Sequence, residues 1–190
     1  MSLDFAGKQT MVERVSNAVD GDCPKEITDC LRDALCDLMQ DDRLVLPDTF
    51  LEWTSDHYAR RLLHQDDELG YTIMAMTWGP GQATPVHDHA GMWCVEAVWH
   101  GEIEVVQYEL VETSGDQYRL ESRTTMRAGV GSAGSLIPPH EYHTIANPDD
   151  SQPAVTIHIY AGEMQQCSVF EPLGSDWYHR KSRQLSLDAA

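Results

Sequence analysis

The residues in this chain best suited to chemistry are two histidines set two apart and a third that must reach them from elsewhere. His87 and His89 flank Asp88. On an extended strand, residues i and i+2 share a face, so both imidazoles can converge on one point while Asp88 turns away. The third imidazole must come from another strand, and His140 and His143, downstream of Pro138 and Pro139, are the two candidates. Two histidines from one strand and one from a second suit a half-open divalent metal site that keeps positions for other ligands. A second group lies on one run. In Ala154–Ala161, residues Thr156, His158 and Tyr160 fall on one strand face, and Val155, Ile157 and Ile159 on the other. A hydroxyl, an imidazole and a phenol in a row can form a hydrogen-bonded chain, with the phenol directed at bound O2 or thiolate. His57, His64, His100 and His179 have no partner at ligand spacing and read as surface or structural residues.

The spacing around these residues carries more than the pairs alone. Gly81, five residues, His87-Asp88-His89, four residues, Cys94, six residues and Gly101 resemble the first motif of the cupin superfamily. Pro138, four residues, His143, three residues and Asn147 resemble most of the second motif. That register selects His143 as third ligand over His140, which stands where the motif usually has glycine and is then a loop residue near the pocket rim. Cys94 stands where many cupins carry a glutamate. Three neutral imidazoles leave a divalent metal with its full charge, which favours soft thiolate donors and lowers the pKa of a bound thiol.

With these motifs the chain resembles the thiol dioxygenases, and within them the cysteine dioxygenases, from about Tyr58 to Gly174. Tyr58-Ala59-Arg60-Arg61-Leu62 is similar to the family's Tyr-x-Arg-x-Leu segment, whose arginine pairs with the carboxylate of cysteine. The resemblance therefore implies substrate-binding roles for Tyr58 and Arg60, and a guanidinium suits bidentate carboxylate recognition. Trp78-Gly79 precedes the metal strand, as a Trp-Gly pair does in that family. Thr156-Ile157-His158-Ile159-Tyr160 resembles the Ser-x-His-x-Tyr strand, where histidine and tyrosine lie in the outer sphere of the metal. There the tyrosine can become thioether-bonded to the cysteine, here Tyr160 and Cys94. The resemblance implies Fe(2+) on His87, His89 and His143. It also implies oxidation of L-cysteine by O2 to cysteine sulfinate, with the substrate chelating through thiolate and amine. Two segments depart from the animal enzymes, Ala161-Gly162 after the tyrosine and Ala90-Gly91-Met92-Trp93 after the histidines. Relatives acting on 3-mercaptopropionate usually have glycine at the place of Cys94 and an arginine after the tyrosine strand. Residues 165–170 here contain none. The competing readings are another small carboxylated thiol as substrate, or a metal-binding cupin without catalysis.

The elements that must hold these residues are legible as two textures. Residues 10–40 read as helical: Asp20 or Asp22 can cap, Pro24 suits a first turn, and Ile27, Leu31, Leu35 and Leu38 form an apolar stripe. After residue 68 come short Val-, Ile-, Thr- and aromatic-rich runs: Tyr71–Trp78, Cys94–Trp99, Glu102–Leu110, Tyr118–Met126, Ser135–Ile137 and Ala154–Ala161. The expected fold is an all-β cupin barrel with N-terminal α-helices in a single domain. Its helical part spans about residues 1–66 and its barrel about 67–175, with a fraying polar tail at 176–190. The net charge of −18 and pI near 4.6 argue against nucleic acid and anionic membrane as partners. An acidic substrate then needs a local cation. Five cysteines without CxxC spacing, no apolar run of transmembrane length and no leader pattern in Met1–Lys8 suggest a reduced cytoplasmic protein. It is expected to be a monomer or weak homo-oligomer whose partners are a small thiol and O2.

Overall fold

A computed structural model describes residues 4–189 of the chain. The leader expectation rests partly on residues 1–3, which lie outside the described residues. The N-terminal segment holds two helices, α1 (Lys8–Val19) and α2 (Pro24–Leu38). Pro24 opens α2, as its fixed φ and missing N–H favour, but the capping position is Cys23 rather than Asp20 or Asp22. Leu31, Leu35 and Leu38 are fully buried and Ile27 is half-buried, so the predicted stripe is the face that meets the sheet. Each such leucine contributes about 1.5–3 kcal/mol from burial.

Eleven strands follow among the described residues. One sheet has the order β1 (Ala59–Asp66), β2 (Tyr71–Trp78), β9 (Ala154–Tyr160), β4 (Cys94–His100), β7 (Ala133–Leu136). The others close into a ring: β10 (Gln166–Gly174), β11 (Trp177–Gln184), β6 (Gln117–Gly129), β5 (Glu102–Ser114), β8 (His143–Ala146) and β3 (Val86–His87). All pairings are antiparallel. The fold is the β-barrel of a cupin with helices packed on one face.

Two boundaries differ from the sequence expectation. The helical part does not run to residue 66, because β1 begins at Ala59. The adjacent Arg60 and Arg61 suggest an exposed segment, yet both are buried, Arg61 donating to Thr77 Oγ1 at 2.7 Å and the Glu52 carbonyl at 2.8 Å. The segment after residue 176 is not a fraying tail but β11, paired with β10 and β6. Its outer half is solvent-exposed throughout, so no alternation of apolar and polar residues marks it as a strand.

The five-stranded sheet has two buried faces, and the period of two sorts its side chains between them. Ile73, Ala75, Val95, Ala97, Ile157 and Ile159 pack with the leucines of α2. Met74, Met76, Trp78, Cys94, Val98 and Tyr160 pack inward with residues of the ring. Gly101 makes the turn from β4 to β5 with φ +73, and a Cβ there would stand 3.0 Å from the Pro153 carbonyl oxygen. Only glycine meets both conditions without strain.

Candidate metal centre

His87 ends β3 and pairs in register with His143 at the start of β8, which brings imidazoles from two strands together. β3 is only two residues long, so His89 lies just beyond it, but the i, i+2 relation still holds. Asp88 turns away: its Oδ1 accepts from the backbone N–H of Ser168 at 2.8 Å and of Ala90 at 3.1 Å, fastening the strand end to β10. Asn147 fixes the far end of β8, its Nδ2 donating to the carbonyls of Trp78, Gly79 and Gln152 at 3.1, 3.2 and 2.8 Å. One ring nitrogen from each of His87, His89 and His143 lies within 4.8 Å of the others. His140 is exposed in the turn after Ile137 and takes no part.

The cluster fits a divalent cation. The Nδ1 of His87 donates to the Pro85 carbonyl at 3.1 Å and that of His143 to the Glu141 carbonyl at 3.0 Å. These bonds set the tautomer, so each Nε2 carries a lone pair. His143 Nε2 and His89 Nδ1 are buried with no hydrogen-bond partner. Burial, and for His89 and His143 the repulsion of neighbouring imidazoles, lowers all three pKa values, that of His87 to about 4. Neutral, desolvated nitrogen donors with unused lone pairs are what a metal ion takes up.

The face of β9 predicted to carry a polar chain does so. Trp78 Nε1 donates to Thr156 Oγ1 at 2.9 Å, and Thr156 Oγ1 lies 2.7 Å from His158 Nε2. An indole N–H only donates, so Thr156 Oγ1 accepts from Trp78 and is then bonded to His158 Nε2 in the direction that the imidazole tautomer sets. His158 Nδ1 faces Tyr160 Oη at 3.3 Å. Burial lowers the His158 pKa to about 3, with Arg60 adding to the effect, so the ring is neutral. Burial holds the Tyr160 phenol well above its usual pKa. Cys94 is directly opposite Tyr160 in the β4–β9 register, and its Sγ lies 3.9 Å from His158 Nδ1.

The cavity before the histidines is narrow and is walled by Tyr58, Arg60, Trp78, His158, Tyr160 and Cys167, among others. Tyr58 stacks on Trp78 with ring centroids 4.5 Å apart. An outer recess shares Arg60, Tyr160, Met164 and Leu185 with it. Arg60 is 6% exposed, and its guanidinium donates to the carbonyls of Ser186 at 3.2 Å and Met164 at 3.3 Å. Among the described residues no carboxylate lies within 4.0 Å of that guanidinium. In a chain of net charge −18, a buried cation without a paired acid is a ready receptor for an anion.

Three neighbours were not singled out in the sequence. Cys167 lines the cavity, its thiol pushed up to about 11 by burial. The segment 185–188 crosses the β1 side: Asp188 Oδ2 accepts from the Arg60 backbone N–H at 2.8 Å, and its Oδ1 lies 2.7 Å from His57 Nε2. Glu96 is buried beside His143 and His158. Its signal was present, since it stands two residues after Cys94 and shares that residue's face by the rule that joins His87 to His89.

The antiparallel barrel with three inward histidines from two strands defines a cupin-type metal centre. The sequence profile described as "Cysteine dioxygenase type I" matches residues 47–172, well over half of the chain. The chain belongs to the cysteine dioxygenase type I family. It is 23% identical over 118 residues to "Cysteine dioxygenase type 1" of Rattus norvegicus, covering 60% of this chain and 56% of the rat protein. Against the same-named protein of Danio rerio it is 23% identical over 127 residues, covering 64% and 60%. The chain thus spans little more than half the length of these relatives. Among solved structures, a Thermus thermophilus protein aligns with TM-score 0.47 and 20% identity over 62% of this chain and 96% of that one. An oxalate oxidase aligns with TM-score 0.43 and 21% identity over 58% and 54%. Among the described residues, no helix is long and apolar enough to cross a membrane.

Proposed function

We propose that this protein is an iron-dependent thiol dioxygenase that oxidises L-cysteine to cysteine sulfinate. The observation that carries this reading is the buried, acid-free Arg60 guanidinium in the same cavity as the three-histidine cluster. A metal-binding cupin without catalysis has no use for that pairing. The net reaction adds both atoms of O2 to the sulfur of R–SH and yields R–SO2H. Iron held by His87, His89 and His143 supplies the one-electron redox chemistry that lets O2 react with a thiolate. The protein's part is positional. Arg60 receives the substrate carboxylate and fixes which end of the molecule enters. The Tyr160 hydroxyl, oriented by His158 and through it by Thr156 and Trp78, donates a hydrogen bond to the reacting groups. Tyr58 stacks on Trp78 to form a dry wall of the cavity. Oxygen uptake by iron-loaded protein checks the substrate class. Cysteine is expected to be consumed with one sulfinate formed per O2, and cysteamine, which lacks the carboxylate, to be poor. Preference for 3-mercaptopropionate would move the reading to that thiol. No uptake with any carboxylated thiol would leave only a binding role.

The opposition of Cys94 and Tyr160 supports a second expectation, a thioether between them. Forming a C–S bond from the thiol and a ring C–H removes two hydrogens, with O2 as the two-electron acceptor and hydrogen peroxide as its product. After aerobic turnover, peptide mass spectrometry should find the two peptides joined and two hydrogens lighter than their sum. Cys94→Ala and Tyr160→Phe should each remove that species. A Cys94 that stays fully alkylatable after sustained turnover would rule the bond out.

A further inference from the structure

The segment that follows β11 runs back along the cavity and takes hold of Arg60 from two sides. β1 is an edge strand of its sheet, so the outward backbone groups of Arg60 have no further strand to pair with. Asp188 supplies both partners. Its backbone N–H donates to the Arg60 carbonyl at 2.8 Å, and its Oδ2 accepts from the Arg60 N–H at 2.8 Å. Two residues earlier, the Ser186 carbonyl accepts from the guanidinium at 3.2 Å. Leu185 donates its N–H to the Gln165 carbonyl at 2.8 Å, beside Met164, whose carbonyl accepts from the other terminal nitrogen of the guanidinium at 3.3 Å. Leu185 lines both the inner cavity and the outer recess, and Leu187 lines the recess.

This hold orients the guanidinium and leaves it open. Arginine carries its N–H donors in one rigid plane, and the two carbonyls engage both terminal nitrogens, which fixes that plane. Asp188 bonds to the backbone of Arg60 but forms no ion pair with its side chain, because both carboxylate oxygens are already engaged. Oδ1 lies 2.7 Å from Nε2 of His57, an exposed residue in the loop before β1. The His57 carbonyl is held in turn by Thr54 Oγ1 at 2.7 Å and Gln82 Nε2 at 3.0 Å. Burial works to raise the Asp188 pKa, but the bonds from His57 and the Arg60 backbone outweigh it and keep the acid ionised. Any polar segment can cover a strand edge. This one covers it at the residue whose side chain meets the substrate, and it bonds that residue's backbone and guanidinium together.

We propose that Asp188 is a positioning residue for Arg60, and that segment 185–188 thereby sets the span between the thiol site and the carboxylate site. The proposal rests on the thiol dioxygenase reading and deepens it. The three-histidine cluster fixes the sulfur end of the substrate and Arg60 the carboxylate end, so the depth of the guanidinium decides which chain length fits. A fastened guanidinium selects cysteine over homocysteine, which is one methylene longer. His57 acts through Asp188: while it holds Oδ1, the acid stays off the guanidinium and does not compete with the substrate carboxylate.

Steady-state oxygen uptake by iron-loaded protein with cysteine, homocysteine and cysteamine tests this. Asp188→Ala should lower kcat/KM for cysteine on the order of 10- to 100-fold, chiefly through KM, since misplacing a binding group by about 1 Å costs up to about 100-fold. Iron content should not change, nor the rate with cysteamine, which brings no carboxylate to Arg60. The preference for cysteine over homocysteine should narrow. Asp188→Asn keeps an oxygen for the Arg60 N–H and should recover most of the loss. Equal losses on cysteine and cysteamine, an unmoved ratio of cysteine to homocysteine, or unchanged kinetics on cysteine would each overturn the proposal. Should Asp188→Ala fold poorly, His57→Ala decides from an exposed position. It should raise KM for cysteine about 2- to 5-fold, the range of a partly exposed ion pair, and leave cysteamine alone. No rise in that KM would overturn the proposal. If the unaltered protein oxidises no thiol, the proposed function falls and this proposal with it. If it oxidises cysteine and Asp188→Ala matches it, only the Asp188 proposal falls.

Discussion

Replacing His143 with alanine is expected to abolish thiol oxidation and to lower iron content to near background. His87→Ala and His89→Ala should behave alike. The expectation follows from the way the three imidazoles are held. Each comes from a short, tightly fastened strand end, and two have their tautomers set by backbone carbonyls. His143 is the residue of β8 that the register sets opposite His87, so no other histidine takes its place. Removing one nitrogen donor should weaken metal binding by on the order of 100-fold or more, above the usual cost of losing a supporting partner. His140→Ala is the internal control: this histidine is exposed outside the cluster, and the variant should keep its iron and its turnover. Metal analysis of the four purified variants checks the set. Full occupancy in His143→Ala, or loss in His140→Ala, would show that the third ligand is misassigned.

The second large effect is expected at Arg60. Arg60→Ala should lower kcat/KM for cysteine by about 30- to 1000-fold, equivalent to about 2–4 kcal/mol for losing the charged partner of a buried carboxylate. Iron content should be unchanged. Cysteamine, already poor, should lose little more, because it brings no carboxylate. Arg60→Lys separates charge from geometry. It keeps the cation but loses the fork that donates to Ser186 and Met164 carbonyls while facing the cavity, so an intermediate loss is expected. Steady-state rates on both thiols read this directly. An unchanged kcat/KM for cysteine in Arg60→Ala would remove this residue from the substrate site.

Much of the site was written in local periodicity. The i, i+2 relation of His87 and His89, and the alternation of Thr156, His158 and Tyr160 against Val155, Ile157 and Ile159, survive folding unchanged. Both faces of those strands are buried, so a slip of one residue would exchange the polar chain with the packed aliphatics. The α2 stripe was legible for the same reason. What escaped has a common cause too. β1 and β11 are dominated by charged and polar residues, so their strand character comes from pairing with neighbours and not from their own pattern. Arg60 and Arg61 look like a surface pair until β1 is seen inside the sheet. The segment 185–188 reaches Arg60 across more than a hundred residues, and nothing local announces it. Glu96 is one of 31 acidic residues, and only its place two after Cys94 sets it apart.

The central claim, that this cavity directs both atoms of O2 onto the sulfur of a carboxylated thiol, is tested most directly by isotope. Iron-loaded protein is given cysteine under 18O2 in ordinary water, and the product is weighed by mass spectrometry before exchange with solvent. The sulfinate should carry two 18O atoms, with one O2 consumed per product. Arg60→Ala should form the same product slowly, and His143→Ala should form none above the level of free iron. A sulfinate carrying one 18O or none, or cystine and peroxide in place of sulfinate, would contradict the claim.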